Sequence, residues 1–312
     1  MLQKENYLPI LAGVITSLIF GFSFLFTKRA LDYLDTFHLL ALRFTFAALL
    51  LMVLKALGVI KIDFKGKRLG LLILLGVCQP IVYFICETIG LELTTSSEAG
   101  MMIALIPVLV TILGAIFLQE VPDKKQLLFI IISVIGVIFI VVMKGNREVD
   151  GNLLGIFTLL GAVFSAAFYN IISRKSSLQF KPIEITYLMM IMGAGVFNSI
   201  FIFNHFRERT IANYLTPLTY GDVLFAIFYL GVLSSVLAFF LVNFTLSKLE
   251  ASRSAVFANL TTIISVIAGV FFRDEPFYWF HLVGGMMILV GVWGTNYYGE
   301  RRVIIEESNL DH

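Results

Sequence analysis

The sequence predicts an all-α integral membrane protein, with ten transmembrane helices arranged as two inverted five-helix repeats. Three observations carry this reading. The 312 residues are 59% hydrophobic and only 14% charged, with a mean hydropathy of +0.92, whereas soluble domains average about 45–50% apolar and about 25% charged residues. Charges and turn residues cut the chain into ten apolar runs of about 20 residues, the length that spans a bilayer as a helix. The second half of the chain also repeats the first.

The first run, at about 8–27, is too long for the apolar core of a cleavable signal and shows no small-residue cleavage site, so it reads as the first span. The others fall at about 37–57, 69–91, 98–118, 126–144, 153–173, 184–204, 221–245, 251–272 and 278–298. Most connections are short, which makes sequential helices antiparallel neighbours. The exception is the polar stretch NHFRERTIANYLTPLTYGD, Asn204 to Asp222, between spans 7 and 8. With the N-terminus placed in the cytoplasm, fifteen of the 23 Lys and Arg residues fall on the cytoplasmic side, seven fall outside, and Arg43 is left within a span. Both termini are therefore expected on the cytoplasmic face of a cell membrane. The net charge of +2 is too small to suggest a nucleic-acid partner. Cys78 and Cys86 lie in one run, separated by about 12 Å of helical rise, which excludes a disulfide between them.

The repeat appears at an offset of 155 residues. SSEAGMMIALIPVLVTILGAIFLQE then lies over SRSAVFANLTTIISVIAGVFFRDE, with Gly114 on Gly269, Phe117 on Phe272 and Glu120 on Glu275. Leu75, Gly76 and Val77 meet Leu230, Gly231 and Val232; Phe84 meets Phe239, Leu91 meets Leu246, and Gly136 meets Gly291. The first helices need an offset of 146, which lays Phe22, Lys28 and Arg29 over Phe168, Arg174 and Lys175; the long loop absorbs the difference. The expected units are 1–147, 148–300 and a cytoplasmic tail, 301–312. Five spans per unit is an odd number, so the second copy enters the membrane inverted. That architecture puts a solute site near the midplane between two halves.

Polar residues inside spans are costly and should face protein or a water-filled cavity. Gly76, Gln79, Pro80, Tyr83 and Glu87 are spaced to share one face of span 3, either a pathway or a kinked packing face. Pro80 frees the carbonyl of Gly76 from its helical partner. Span 1 offers Ser17, Gly21, Phe24 and Lys28; span 6 offers Asn170 and Arg174, with Ser165 and Tyr169 nearby. Span 8 offers Ser234, Ser235 and Asn243, and span 9 Asn259 and Thr262. Tyr83, Phe84, Phe239, Phe257 and Tyr187 are candidate aromatic walls. Of these, Gln79, Tyr83, Glu87, Asn170, Ser235, Phe239, Asn259 and Thr262 are the substrate-cavity candidates; Pro80 and Pro107 are the expected kinks. Arg43 lies about 9 Å below the start of span 2 and Glu87 about 7 Å below the end of span 3. Equal depth on sequential helices suggests an outer ion pair or gate. Glu120 and Glu275, ending spans 4 and 9 on opposite sides, read as symmetric structural or gate elements.

The stretch LTTSSEAGMMIALIPVLVTILGAIFLQE, Leu93 to Glu120, resembles the fourth helix of EamA-type members of the drug/metabolite transporter superfamily, with its small-residue start, mid-helix Pro107 and terminal Glu. LEASRSAVFANLTTIISVIAGVFFRDE, Leu249 to Glu275, resembles that family's ninth helix, with Thr262 where a proline often stands. The resemblance implies a secondary transporter that moves a small organic solute, an amino acid or other amphipathic metabolite, outward by alternating access. It implies no cofactor and no ATP use, and no G-x-x-x-x-G-K-[ST] loop is present. Proton coupling and facilitated diffusion both stay open, as does oligomeric state. The alternative is an integral membrane enzyme or sensor. His38, His205, His281 and His312 are scattered without metal-site spacing, no G-x-S-x-G occurs, and no soluble output domain fits between the spans. A non-enzymatic role is therefore expected.

Overall fold

A backbone in lipid has no water to bond, so every N–H and C=O must be satisfied within the chain, and an apolar run answers by forming a helix. The computed structural model describes residues 7–117, 123–145, 152–206, 211–249, 251–255 and 257–310. Among the described residues all regular structure is helical. The long elements are α1 (Tyr7–Leu31), α2 (Thr36–Ala56), α3 (Gly70–Leu93), α4 (Ser96–Phe117), α5 (Lys124–Gly145), α6 (Asn152–Ser176), α7 (Pro182–Phe206), α8 (Gly221–Lys248), α9 (Phe257–Arg273, preceded by a helical turn at Ala251–Ala255) and α10 (Trp279–Leu310). Seven of these, α1–α4 and α6–α8, are long and apolar enough throughout to cross a membrane; shorter apolar stretches run over Phe257–Arg273 and Trp279–Gly291. Glu120 lies outside the described residues.

Three helices are not uniform. α3 passes through a π-helical stretch at Val77–Val82, where Gln79 leaves helical geometry at φ −145°, ψ 116° just before Pro80. α8 carries a π-helical stretch of its own at Tyr229–Ala238. π-bulges of this kind concentrate at functional sites. α4 is broken by a turn at Ala104 and Leu105, and Pro107 sits in the first turn of the segment that follows, where a missing N–H costs nothing. Its start is fixed by a capping box: Thr95 Oγ1 accepts from the Glu98 amide, and Glu98 Oε2 accepts from the Thr95 amide.

α1 packs on α8 and α9, α2 on α7 and α8, α3 on α6 and α7, and α4 on α6 and α9. α5 and α10 pair mainly with each other. There the backbones approach closely: a Cβ on Gly136 would stand 2.8 Å from the Gly284 carbonyl oxygen, and one on Gly284 would stand 2.9 Å from that of Gly136.

Polar clasps tie the helix ends together. At the far end, where α1 finishes, the Lys28 ammonium donates to the carbonyls of Leu91 and Thr94 at the end of α3. Arg273 pairs with Asp32 at 2.9 Å. Glu275, just past α9, accepts from the amides of Ser96 (2.8 Å) and Ser97 (2.9 Å) and from the Ser97 hydroxyl (2.7 Å), so its carboxylate caps the start of α4. The loop before α8 is anchored at this end too. Tyr214 donates its hydroxyl to Asn198 and shares a bond with Thr45, while its carbonyl bonds His38 Nε2. Burial pushes the Tyr214 hydroxyl above its usual pKa, so it stays a donor. At the near end, where α1 begins, Arg174 donates to the Leu246 carbonyl at 2.9 Å, and Lys67 pairs with Glu184 at 2.6 Å.

Candidate functional site

A cavity of about 100 Å³ opens between α1, α2, α3, α4, α6, α8 and α9. A single buried water needs about 10–15 Å³ on such a measure, so the space suits a small solute better than one structural water. Its walls are mostly apolar and include seven aromatic side chains: Phe20, Phe24, Tyr83, Phe84, Tyr169, Phe239 and Phe257. Polar side chains converge on it from several helices: Thr16, Ser17, Ser23, Gln79, Asn170, Thr245, Ser254 and Thr261, with one cation, Arg43, and one carboxyl, Glu87. The lining extends from Arg43 and Glu87 towards the near end, to Gly13, Thr245 and Ser254.

Arg43 is 1% exposed and held on three sides. Its Nε donates to Ser235 at 2.8 Å and its Nη2 to Ser234 at 2.9 Å, both from the interrupted stretch of α8. The guanidinium carbon lies 4.2 Å from the centroid of the Phe84 ring, a cation–π contact strengthened by the dry surroundings. Phe84 in turn packs edge-on against Phe239, with ring centroids 5.9 Å apart. Arg43 Nη1 has no hydrogen-bond partner. Glu87 is 2% exposed, and its Oε2 is also without a partner. The direct Arg43–Glu87 ion pair expected from helix depth is not formed: no nitrogen of Arg43 approaches a Glu87 oxygen within 4.0 Å. The serines of α8 hold the guanidinium instead.

The remaining expected residues divide. Gln79, Tyr83, Glu87, Asn170 and Phe239 line the cavity together with Arg43. Ser235 stands behind the wall, as the partner of Arg43. Thr262 faces α4, where its hydroxyl donates to the Gly100 carbonyl at 2.7 Å and so joins two helices. Asn259 and Tyr187 are not in the lining; Tyr187 lies beneath the Lys55 ammonium, 5.1 Å away. Asn243 is a buried junction: it accepts from Tyr169 and Ser173, both at 2.8 Å, and donates to Thr186 at 3.0 Å, tying α6, α7 and α8 together. Near Pro80, the Cys78 carbonyl accepts a side-chain hydrogen bond from Ser165 at 2.6 Å. Cys78 and Cys86 are free thiols.

Sequence reasoning missed Gly13, Thr16, Phe20, Ser23, Thr245, Ser254 and Thr261. Ser17, Phe20 and Phe24 do share a helical face of α1, but Gly21, expected beside them, turns to α9: a Cβ there would stand 2.5 Å from the Ile264 side chain. Small residues along α1 mark its contact with α9, and the cavity face lies alongside.

Comparison with known proteins agrees with this architecture. The EamA-like transporter family matches residues 7–142 and again 153–297. An uncharacterized transporter of Bacillus subtilis (strain 168), YcxC, is 37% identical over 296 residues, covering 95% of each chain. An uncharacterized transporter of Archaeoglobus fulgidus is 27% identical over 279 residues, covering 89% of this chain and 95% of its own. A solved crystal structure shares the fold, with a TM-score of 0.66 at 15% identity over 94% of this chain and 98% of that one. A multi-pass helical bundle with an internal solute-sized cavity, matched by one transporter family over both halves, places the chain in the EamA-like transporter family of the drug/metabolite superfamily.

Proposed function

We propose that the protein is a secondary transporter that moves a small organic solute, an amino acid or other amphipathic metabolite, by alternating access. The observation that carries this reading is the cavity itself: a mostly apolar space with one cation and one carboxyl, lined by helices from both halves of the chain. On this reading the chain crosses the membrane ten times, as two inverted five-helix units at 1–147 and 148–300, with both termini and the tail 301–312 in the cytoplasm.

Several features support the inverted repeat. The helix contacts keep their pattern when the halves are exchanged: α1 on α9 has its counterpart in α6 on α4, α3 on α6 in α8 on α1, and α2 on α8 in α7 on α3. The π-helical stretch of α3 falls within that of α8 at the 155-residue offset. Lys28 to Leu91 at the far end is matched by Arg174 to Leu246 at the near end, residue for residue in the repeat. Phe84 and Phe239, also repeat-related, meet beside the cavity. Two such halves can open a shared site to either side in turn.

With the charge bias setting orientation, the far end is extracellular and Arg43 and Glu87 lie at the outer limit of the cavity, where they act as a gate as well as lining. Outward transport is the direction the family resemblance suggests. Protons are the coupling ion to test first, because Glu87 is the single acidic side chain in the lining. Reconstituted vesicles loaded with a broad metabolite panel should show solute counterflow; none with any member would refute the transport reading. A Glu87→Gln variant that still transports but has lost its pH dependence would assign the proton to that carboxyl.

A further inference from the structure

We infer that the solute carries an anionic and a cationic group at once, the first read by Arg43 and the second by Glu87. This rests on the reading of the cavity as the solute site. Arg43 offers five N–H donors in a fixed fork. Ser234, Ser235 and the Phe84 ring fix its orientation, yet Nη1 is left without a partner in a side chain 1% exposed. Glu87 has an unpartnered Oε2 in a side chain 2% exposed. Leaving either buried charge unsatisfied is expensive, and a direct pair would relieve both. The serine clasp keeps the guanidinium from reaching across, so the two opposite charges face the same space without meeting.

A solute with a single charge satisfies one of these groups and strands the other. A neutral solute strands both. A zwitterion satisfies both, with its apolar body against the phenyl walls of Phe20 and Phe239. A site whose buried polar groups are left unpaired by an analogue rejects that analogue strongly. Removing either charge from the solute should therefore weaken binding at least about tenfold.

The test uses full-length protein in lipid nanodiscs and calorimetric titration with L-leucine and L-phenylalanine, each beside its deaminated acid and its decarboxylated amine. At least one amino acid should bind, with its acid and its amine each at least about tenfold weaker. Glu87→Gln should bring the acid level with the amino acid, and Arg43→Gln should do the same for the amine. If Arg43→Gln does not fold, Ser234→Ala with Ser235→Ala frees the guanidinium and should erode the same preference. An acid or amine that binds as tightly as its parent to the native protein overturns the inference, as does binding by none of the six, or a preference for the amino acid that survives Glu87→Gln. Counterflow of a singly charged solute would leave transport standing and refute the zwitterion. Selective zwitterion binding without counterflow would do the reverse.

Discussion

Gly269→Ala tests the clasp that closes the far end. A Cβ at this position would stand 2.2 Å from Glu275 Oε2 and 2.7 Å from Ser97 Oγ, far inside contact distance. Oε2 would have to withdraw from the Ser97 amide and hydroxyl that it now accepts from at the start of α4. Losing two charge-assisted bonds costs about 1.5 kcal/mol each at the low end, or about 3 kcal/mol. The substitution itself returns about 0.5–1 kcal/mol, because alanine is the better helix residue. The net loss is about 2 kcal/mol. It should appear as an earlier unfolding midpoint when the protein in mixed micelles is titrated with sodium dodecyl sulfate. In a Glu275→Ala background the obstruction is gone and the Ser97 hydroxyl can turn aside. There Gly269→Ala should stabilise by about 0.5–1 kcal/mol, a reversal of sign. An equal loss in both backgrounds would refute the argument, because the cost would then not pass through the carboxylate.

Other substitutions probe different joints. Asn243→Ala strips partners from Tyr169, Ser173 and Thr186, all buried, and should lower stability by about 2–4 kcal/mol in the same titration. Gly136→Ala brings a methyl against the Gly284 carbonyl, which as backbone cannot swing aside, and should cost about 1–3 kcal/mol by parting α5 from α10. Ser165→Ala removes the donor to the Cys78 carbonyl beside the interrupted turn of α3, for about 1 kcal/mol, and leaves the cavity lining itself intact.

Much of this was legible in the sequence because lipid simplifies the problem. Apolar length and interrupting charges mark helices when no other backbone solution exists, and the face bearing Gln79, Tyr83 and Glu87 follows from spacing alone. Other assignments depended on which neighbour a helix would meet. Ser235 and Thr262 have the spacing of cavity residues, yet a small hydroxyl serves equally well as a link between helices: Ser235 accepts from Arg43, and Thr262 donates to the Gly100 carbonyl. The partners of Arg43 come from the other half of the chain, 191 and 192 residues away. Depth along a span pointed to Glu87 and carried no information about α8. In α1 the small residues drew attention to the stripe that packs on α9, while Thr16, Phe20 and Ser23 beside it make the cavity wall.

On the proposed reading, the cavity is the route of the solute. The most direct measurement is counterflow into vesicles holding either the native protein or an Ala258→Phe variant, whose added ring would fill the cavity from its lining. Both should show the same unfolding midpoint; the native protein should exchange solute across the membrane, and the filled one should lose nearly all exchange. Equal counterflow by the two would put the route elsewhere in the bundle and refute the cavity as the solute site.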